Sequence, residues 1–230
     1  MKIELVKILD GVTDPGTKLK LIHNNIKFEP YHALKTEYIE QLMIVEYIKG
    51  DEKILELGGN IGRTTIVMAK ILDDDKSLVT VEPGYEIVQL ERNRELNNMT
   101  FNIFNGALSY RPIWKSRNDW RSTTDVNHPT DYLSIKTITF EEIEKVYNIT
   151  FDTFVIDCEG AFYYILQDNS NILKNIKKII FENDFIKADH KEMVHKSFIN
   201  NGFKVVKEYP INDPYWGSIA NFWQVWLKTS

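Results

Sequence analysis

The segment KILELGGNIGRTTI, residues 53–66, constrains what this chain can fold into more than any other. Apolar residues Ile54, Leu55 and Leu57 run into Gly58-Gly59-Asn60-Ile61-Gly62, and a helical pattern follows at Ile66, Val67, Ala69, Ile71 and Leu72. That is strand, glycine-rich turn, helix. Glycines let backbone N–H groups approach a ligand closely, and the following helix N-terminus adds partial positive charge, so the turn suits a nucleotide-type ligand. The spacing is E-x-G-x-N-x-G from Glu56, not the dinucleotide fingerprint G-x-G-x-x-G. A second signal follows at a fixed distance. LVTVE, 78–82, reads as a strand ending in Glu82, about 20 residues beyond the turn, where a carboxylate can accept both ribose hydroxyls. Pro83-Gly84 then stops the strand. An ordinary tight turn would explain the glycines alone, but not Glu82 at this spacing.

The 230 residues, 43% hydrophobic, can supply the core of one domain, with at most a small appendage. Lys and Arg number 28 against 33 Asp and Glu, a net charge of −5, so no global positive field favours nucleic acid as a partner. The single Cys158 excludes an internal disulfide and metal sites built on several thiolates. Inside FVIDC it reads as a small buried residue in preference to a nucleophile. MKIELVKILDG lacks the uninterrupted apolar region of a secretion signal, and no apolar run approaches the roughly 20 residues of a membrane span. A cytoplasmic protein without a membrane span is the expectation.

Residues 1–33 read as an N-terminal arm ahead of a domain at 34–230. IELVKIL is either an edge strand or a short helix, DGVTDPG is a turn cluster, and the arm either packs across the domain or serves a partner. Leu34, Tyr38, Leu42, Val45 and Ile48 make a helical stripe, on which Glu37 and Gln41 read as solvated positions ahead of cofactor contacts. A second helix over 85–98 turns Ile87, Leu90 and Leu96 inward. FNIFN then forms a third strand, delivering Asn105-Gly106-Ala107 to the carboxyl edge of the sheet; Asn105 either pairs with an adenine edge or makes an Asx turn.

Residues 109–134 are too polar for a core element and rich in aromatic and arginine side chains. They read either as a substrate-facing lid or as a β-hairpin that completes the fold. Trp114, Arg117, Trp120 and Arg121, with Trp216 farther on, are candidate substrate-binding residues, since aromatic faces with hydrogen-bonding neighbours suit a sugar. Thr139 and Glu142 form a capping-box signal.

FDTFVID reads as a buried parallel strand with Asp157 and Glu159 at its end, followed by a helix from Ala161. Two carboxylates placed together there call for a positive partner, which a cationic cofactor, a metal or a lid arginine would provide. KKIIFEND ends in Glu182, Asn183 and Asp184, so Asp157, Glu182 and Asn183 are candidate ligands for a hard divalent cation such as Mg or Mn; turn residues are the alternative. On the next helix His190 and His195 are five apart and do not share a face, and His190, nearer the strand end, is the better candidate base. NGFKVVKEYP and SIANFWQVWLK are the sixth and seventh strands. Alternating strands and helices imply a doubly wound, mostly parallel α/β sheet.

The segments ILELGGNIG, VEPGYEIVQLERNRELNN, FNGALS, FDTFVIDCEGAFYYIL, IIFEN and INNGFKVV, in that order over about residues 36–210, resemble the FkbM-type methyltransferases, a branch of the class I S-adenosylmethionine-dependent enzymes. The least common of them, IDCEGA, looks like the family's D-x-E-G-A block. Where the family usually continues with a glutamate this chain has Phe162, so any role of that carboxylate is absent. The resemblance implies a Rossmann-like fold with a mostly parallel seven-stranded sheet, helices on both faces and an antiparallel last strand. It implies S-adenosylmethionine held by Glu56, Gly58, Gly59, Asn60, Gly62, Glu82, Pro83, Asn105, Gly106, Ala107 and Asp157. It further implies O-methylation of a small molecule or glycan. A sugar hydroxyl is the first choice of acceptor and a polyketide-like or other hydroxylated metabolite the second, with Asp157, Glu159, Asp184 and His190 as candidates for activating it. A non-catalytic cofactor-binding module and a nicotinamide dehydrogenase are the competing readings, and a homodimer is compatible with either.

Overall fold

The computed structural model describes residues 11–118, 121–215 and 217–229, so IELVKIL, Trp120 and Trp216 lie outside the described residues. The turn cluster of the arm starts a helix. Asp14 caps α1 (Pro15–His23), its carboxylate accepting from Thr17 N at 2.7 Å, and Pro15 takes the first helical position, where an amide would have no helical partner. A 3-10 turn at Tyr31–Lys35 leads into α2 (Tyr38–Tyr47).

Strand and helix then alternate through β1 (Ile54–Leu57), α3 (Arg63–Ile71), β2 (Leu78–Glu82), α4 (Ile87–Leu96) and β3 (Asn102–Asn105). The rhythm breaks at β4 (Ala107–Leu108), β5 (Ile113–Ser116), β6 (Ser122–Thr123), β7 (Tyr132–Ile135) and β8 (Thr137–Ile138). It resumes with α5 (Phe140–Tyr147), β9 (Thr153–Ile156), α6 (Phe162–Asp168), β10 (Lys178–Glu182) and α7 (Ala188–Asn200). The long pair β11 (Phe203–Asp213) and β12 (Gly217–Lys228) closes the chain.

The main sheet has seven strands in the order β3-β2-β1-β9-β10-β12-β11, and β12 runs antiparallel to both its neighbours. The expected fold is therefore the observed one. The chain winds outward from β1 to β3 and then returns to pair β9 on the other side of β1, which places the topological switch, where open α/β sheets bind ligands, at the carboxyl ends of β1 and β9.

Alternate residues of the strands feed two cores. Ile54, Val155, Ile180 and Val225 pack under α1 to α4 with Leu19, Ile22, Ile44, Val67 and Leu90. Leu55, Leu57, Phe154, Ile156, Phe181 and Trp226 pack under α5 to α7 with Ile143, Ile165 and Phe198. Phe162, at the position where the FkbM pattern has glutamate, is fully buried against Phe154, Phe181 and Phe198. Among the described residues no helix is long and apolar enough to cross a membrane.

Segment 109–134 folds as a small antiparallel sheet, β6-β5-β7, with β5 in the middle. The arm joins the domain core through Leu19 and Ile22, both fully buried. The stretch after α1 is held by two asparagine amides, Asn93 of α4 and Asn97 at its carboxyl cap, each meeting both backbone groups of one residue as a neighbouring strand would. Asn97 accepts from Lys27 N at 3.0 Å and donates to Lys27 O at 2.6 Å, while Asn93 accepts from Glu29 N at 2.8 Å and donates to Glu29 O at 3.1 Å.

Candidate functional site

The glycine turn leaves β1 with left-handed backbone at Gly58 (φ 94°), Asn60 (φ 46°) and Gly62 (φ 93°), conformations that glycine and asparagine adopt at least cost. Glycine is also demanded by packing inside the protein. A Cβ on Gly58 would lie 1.6 Å from the Asp157 carbonyl oxygen, and one on Gly59 would lie 2.1 Å from Thr80 Oγ1. The turn is thus pressed against the end of β9 on one side and against β2 on the other.

Glu56 faces inward beneath the turn. Its carboxylate accepts from Thr64 Oγ1 at 2.7 Å and from Thr65 Oγ1 at 2.6 Å, and burial pushes its pKa up to about 7. Glu56 therefore pins the start of α3 to β1, a role for which RTT at 63–65 was the unread signal.

Glu82 brackets the turn from the end of β2. One carboxylate oxygen accepts from Asn60 N at 2.8 Å and the other from Gly84 N. A carboxylate oxygen has two lone pairs, so each keeps one acceptor direction after meeting its amide, which fits a vicinal pair of ribose hydroxyls. Burial raises the Glu82 pKa, and the amides of Asn60 and Gly84 and the Lys115 ammonium draw it back down. Asn105 is exposed at the end of β3; Gly106 N bonds Glu82 O at 3.2 Å, and Ala107 N bonds Lys136 O at 2.9 Å.

At the ends of β9 and β10 the structure gathers carboxylates. One oxygen each of Glu40, Asp157 and Glu182 lie within 4.8 Å of one another. Glu40 comes from α2, belongs to no carboxylate motif and lies off the apolar stripe read from Leu34, Tyr38, Leu42, Val45 and Ile48; the helix buries Glu40, Gln41, Met43 and Ile44 together with Val45, and leaves Tyr38 exposed. Trp223 Nε1 donates to Glu40 at 3.2 Å. Burial, then the neighbouring carboxylates, hold Glu40 and Asp157 well above the usual carboxylate range, and burial pushes Glu182 up to about 7.

Asn183 Nδ2 donates to Asn221 O at 3.0 Å, and its buried Oδ1 is left without a hydrogen-bond partner among the described residues. Asp184 accepts from Gly160 N at 3.0 Å, fixing the loop in which Glu159 (φ 54°) and Gly160 (φ 74°) are both left-handed. His190 stacks flat on Tyr163, ring centroids 3.6 Å apart at 2°, which makes it part of an aromatic wall. Burial and the nearby Asp184 and Asp157 hold the Cys158 thiol well above its ordinary value, so it is no ready nucleophile.

Glu37 and Gln41 depart from the expected solvated positions. Arg63 Nη1 meets Glu37 at 2.6 Å, and Gln41 is fully buried, donating to Leu34 O at 2.7 Å and bonded to His23. Arg63 follows the glycine turn directly and also donates to Ala33 O at 3.0 Å, so the turn and the amino-terminal segment share one set of bonds.

Of the expected substrate residues, Trp114 sits on β5 with its ring 5.0 Å from His128, while Arg117 N bonds Asp131 O and Arg121 O accepts from Ser116 N. The residue that the inserted sheet does bring to Glu82 is Lys115, hidden in the sequence because a lone lysine in a polar stretch carries no signal.

No family model and no curated protein sequence matches this chain. A Streptococcus pneumoniae protein described as a candidate tRNA methyltransferase, in complex with S-adenosyl-L-methionine, superposes at a TM-score of 0.50 and 11% identity, over 84% of this chain and 74% of its own. A candidate O-methyltransferase from Klebsiella pneumoniae covers 100% of this chain and 96% of its own at 14% identity and a TM-score of 0.49. Magnesium protoporphyrin IX methyltransferase from Synechocystis, with bound S-adenosyl-L-methionine, covers 95% and 86% at 8% identity and a TM-score of 0.49. At such identity it is the fold that is shared: this chain has the Rossmann-like architecture of class I S-adenosylmethionine-dependent methyltransferases.

Proposed function

We propose that this protein is an S-adenosylmethionine-dependent methyltransferase of the FkbM type that methylates a hydroxyl of a small molecule, with a sugar or glycan as the first acceptor to test. The observation that carries the reading is Glu82, bonded to the amides of Asn60 and Gly84 at the switch point of the sheet and keeping acceptor capacity on both oxygens. When bound, S-adenosylmethionine supplies a methyl group on a sulfonium, which leaves for a nucleophile as the carbon–sulfur bond breaks.

The residues of the chain fit such a group. Glu82 would accept the ribose hydroxyls, and the carboxylates around Asp157 offer a cationic ligand the charge complement that they otherwise lack. A neutral hydroxyl is a weak nucleophile, and a carboxylate whose pKa lies near 7 is matched to taking its proton; Glu182 is that group, held up by burial beside Asp157 and Glu40. Glu159 and Asp184 shape the loop beside it, and His190 lines the wall.

A second reading of the same oxygens is a divalent cation held by Glu40, Asp157 and Glu182, for which their mutual distance is the supporting observation. Incubation with labelled S-adenosylmethionine and a panel of sugars, oligosaccharides and hydroxylated metabolites, with and without EDTA, tests both. Label transfer that survives EDTA and is lost in Glu182→Gln supports the carboxylate base, and EDTA-sensitive transfer supports the metal. Calorimetry that finds NAD bound in preference to S-adenosylmethionine would overturn the proposal, while cofactor binding without transfer to any acceptor would favour a non-catalytic module.

A further inference from the structure

We propose that Lys115 is a positioning residue of the cofactor crevice, carried there by the inserted sheet to keep Glu82 in the form that accepts a ribose; the proposal rests on the cofactor reading above.

The register of the insert separates two neighbours. Lys115 pairs with Ser122 and Leu133, whereas Trp114 pairs with Thr123 and Ser134. Side chains alternate along a strand, so Lys115 and Trp114 leave β5 on opposite faces. Trp114 joins His128, which lies 5.9 Å from Tyr132, in an aromatic cluster. Lys115 goes to the other side, across the bare backbone of Gly84. A Cβ placed on Gly84 would lie 1.8 Å from Glu86 Oε2, 2.7 Å from Glu82 Oε1 and 2.8 Å from Lys115 Nζ, so the ammonium and both carboxylates close on the one spot that a side chain has been kept out of.

The groups facing Glu82 are the amides of Asn60 and Gly84 and the charges of Lys115 and Glu86, the last opposing the other three. Only the ionised carboxylate can keep both amides and still accept two hydroxyls, because protonation turns one acceptor into a donor. Burial works against ionisation, and the Lys115 ammonium offsets it together with the two amides.

The test is calorimetric titration of the full chain with S-adenosylhomocysteine from pH 6 to 8.5, for wild type, Lys115→Met and Lys115→Arg. Lys115→Met should bind about tenfold more weakly than wild type at the acidic end of the range and close that gap as pH rises and Glu82 ionises without the ammonium, while Lys115→Arg should follow wild type. Equal affinity of wild type and Lys115→Met at every pH would overturn the proposal, as would a pH-independent loss that arginine does not restore. Should Lys115→Met fail to fold, Lys115→Gln must show the same pH signature. If wild type itself does not bind, the cofactor reading falls first and this inference with it.

Discussion

At Gly58 a methyl group would have to occupy the place of the Asp157 carbonyl oxygen, on a backbone whose φ of 94° already disfavours any side chain. Gly58→Ala should cost on the order of 3 kcal/mol or more, since neither the strand end nor the turn can give way cheaply. Gly16 is the matched control. It lies in the first turn of α1, and a Cβ there meets nothing closer than 3.5 Å, so Gly16→Ala should be neutral or stabilise by up to about 1 kcal/mol. Urea unfolding of the two variants checks the contrast, and equal midpoints would contradict the packing described. Two residue patterns announced their structures openly: the Thr139–Glu142 capping box forms as its spacing requires, and Glu82 ends β2 beside the turn. Their signals are local, a side chain meeting a backbone group a few residues away or a strand stopped by Pro83-Gly84.

Among elements, α4 has the most unexpected part. Its sequence predicts Ile87, Leu90 and Leu96 inward; Ile87 and Leu90 are buried, Leu96 is only half-buried, and Asn93 is buried instead and holds the arm. Asn93 Nδ2 also donates to Ile61 O at 2.9 Å, so a single amide ties the arm to the glycine turn. Asn93→Ala would leave the partly buried Glu29 amide and the Glu29 and Ile61 carbonyls without this partner and should cost about 1–3 kcal/mol, against about 1 kcal/mol or less for the more exposed Asn97→Ala. Hydrogen exchange gives the readout: in Asn93→Ala the amide of Glu29 should lose protection ahead of the sheet, and undiminished protection there would refute the clamp. An asparagine on a helix has no sequence mark that distinguishes clamp from solvated surface, which is why the arm's attachment could not be read in advance. The insert is the complementary case. Its polar, aromatic composition signals a departure from the sheet, but only the pairing of β5 with β6 and β7 shows that Lys115 and Trp114 part company.

Across the whole molecule, buried titratable groups set the pH response. Glu56 and Glu182 rise to about 7 from 4.5, and Glu40, Asp157 and Asp184 are raised well above their usual range, in each case chiefly by burial. A carboxyl whose folded pKa exceeds its unfolded one stabilises the fold below the unfolded value and loses that contribution as pH climbs through the folded value, here from about 4.5 to 7 and beyond. For the fully enclosed Glu56 the loss is on the order of 3 kcal/mol; for the partly open Glu182 solvent screening makes it smaller. His195 works the other way: burial lowers it from 6.5 to about 4, so its neutral form favours the fold above 6.5 and that support fades as pH falls. Thermal melts should therefore be highest near pH 4.5, close to the unfolded carboxyl values, and decline toward pH 8, because the five raised carboxyls outweigh the one histidine; a melting temperature that rises steadily to pH 8 would contradict the buried carboxylates.

By itself the sequence determined the order of the main-sheet strands and the helices between them, the glycine turn, Glu82 and the acidic ends of β9 and β10, because periodicity, capping and turn chemistry act over a few neighbouring residues. Tertiary structure alone decided that Glu40 joins Asp157 and Glu182, that Glu56 serves α3 through Thr64 and Thr65, and that Lys115 reaches Gly84 beside Glu82 and Glu86. These pairs lie on different elements, and which side chains converge depends on strand order and on the face each element presents, which no local pattern encodes.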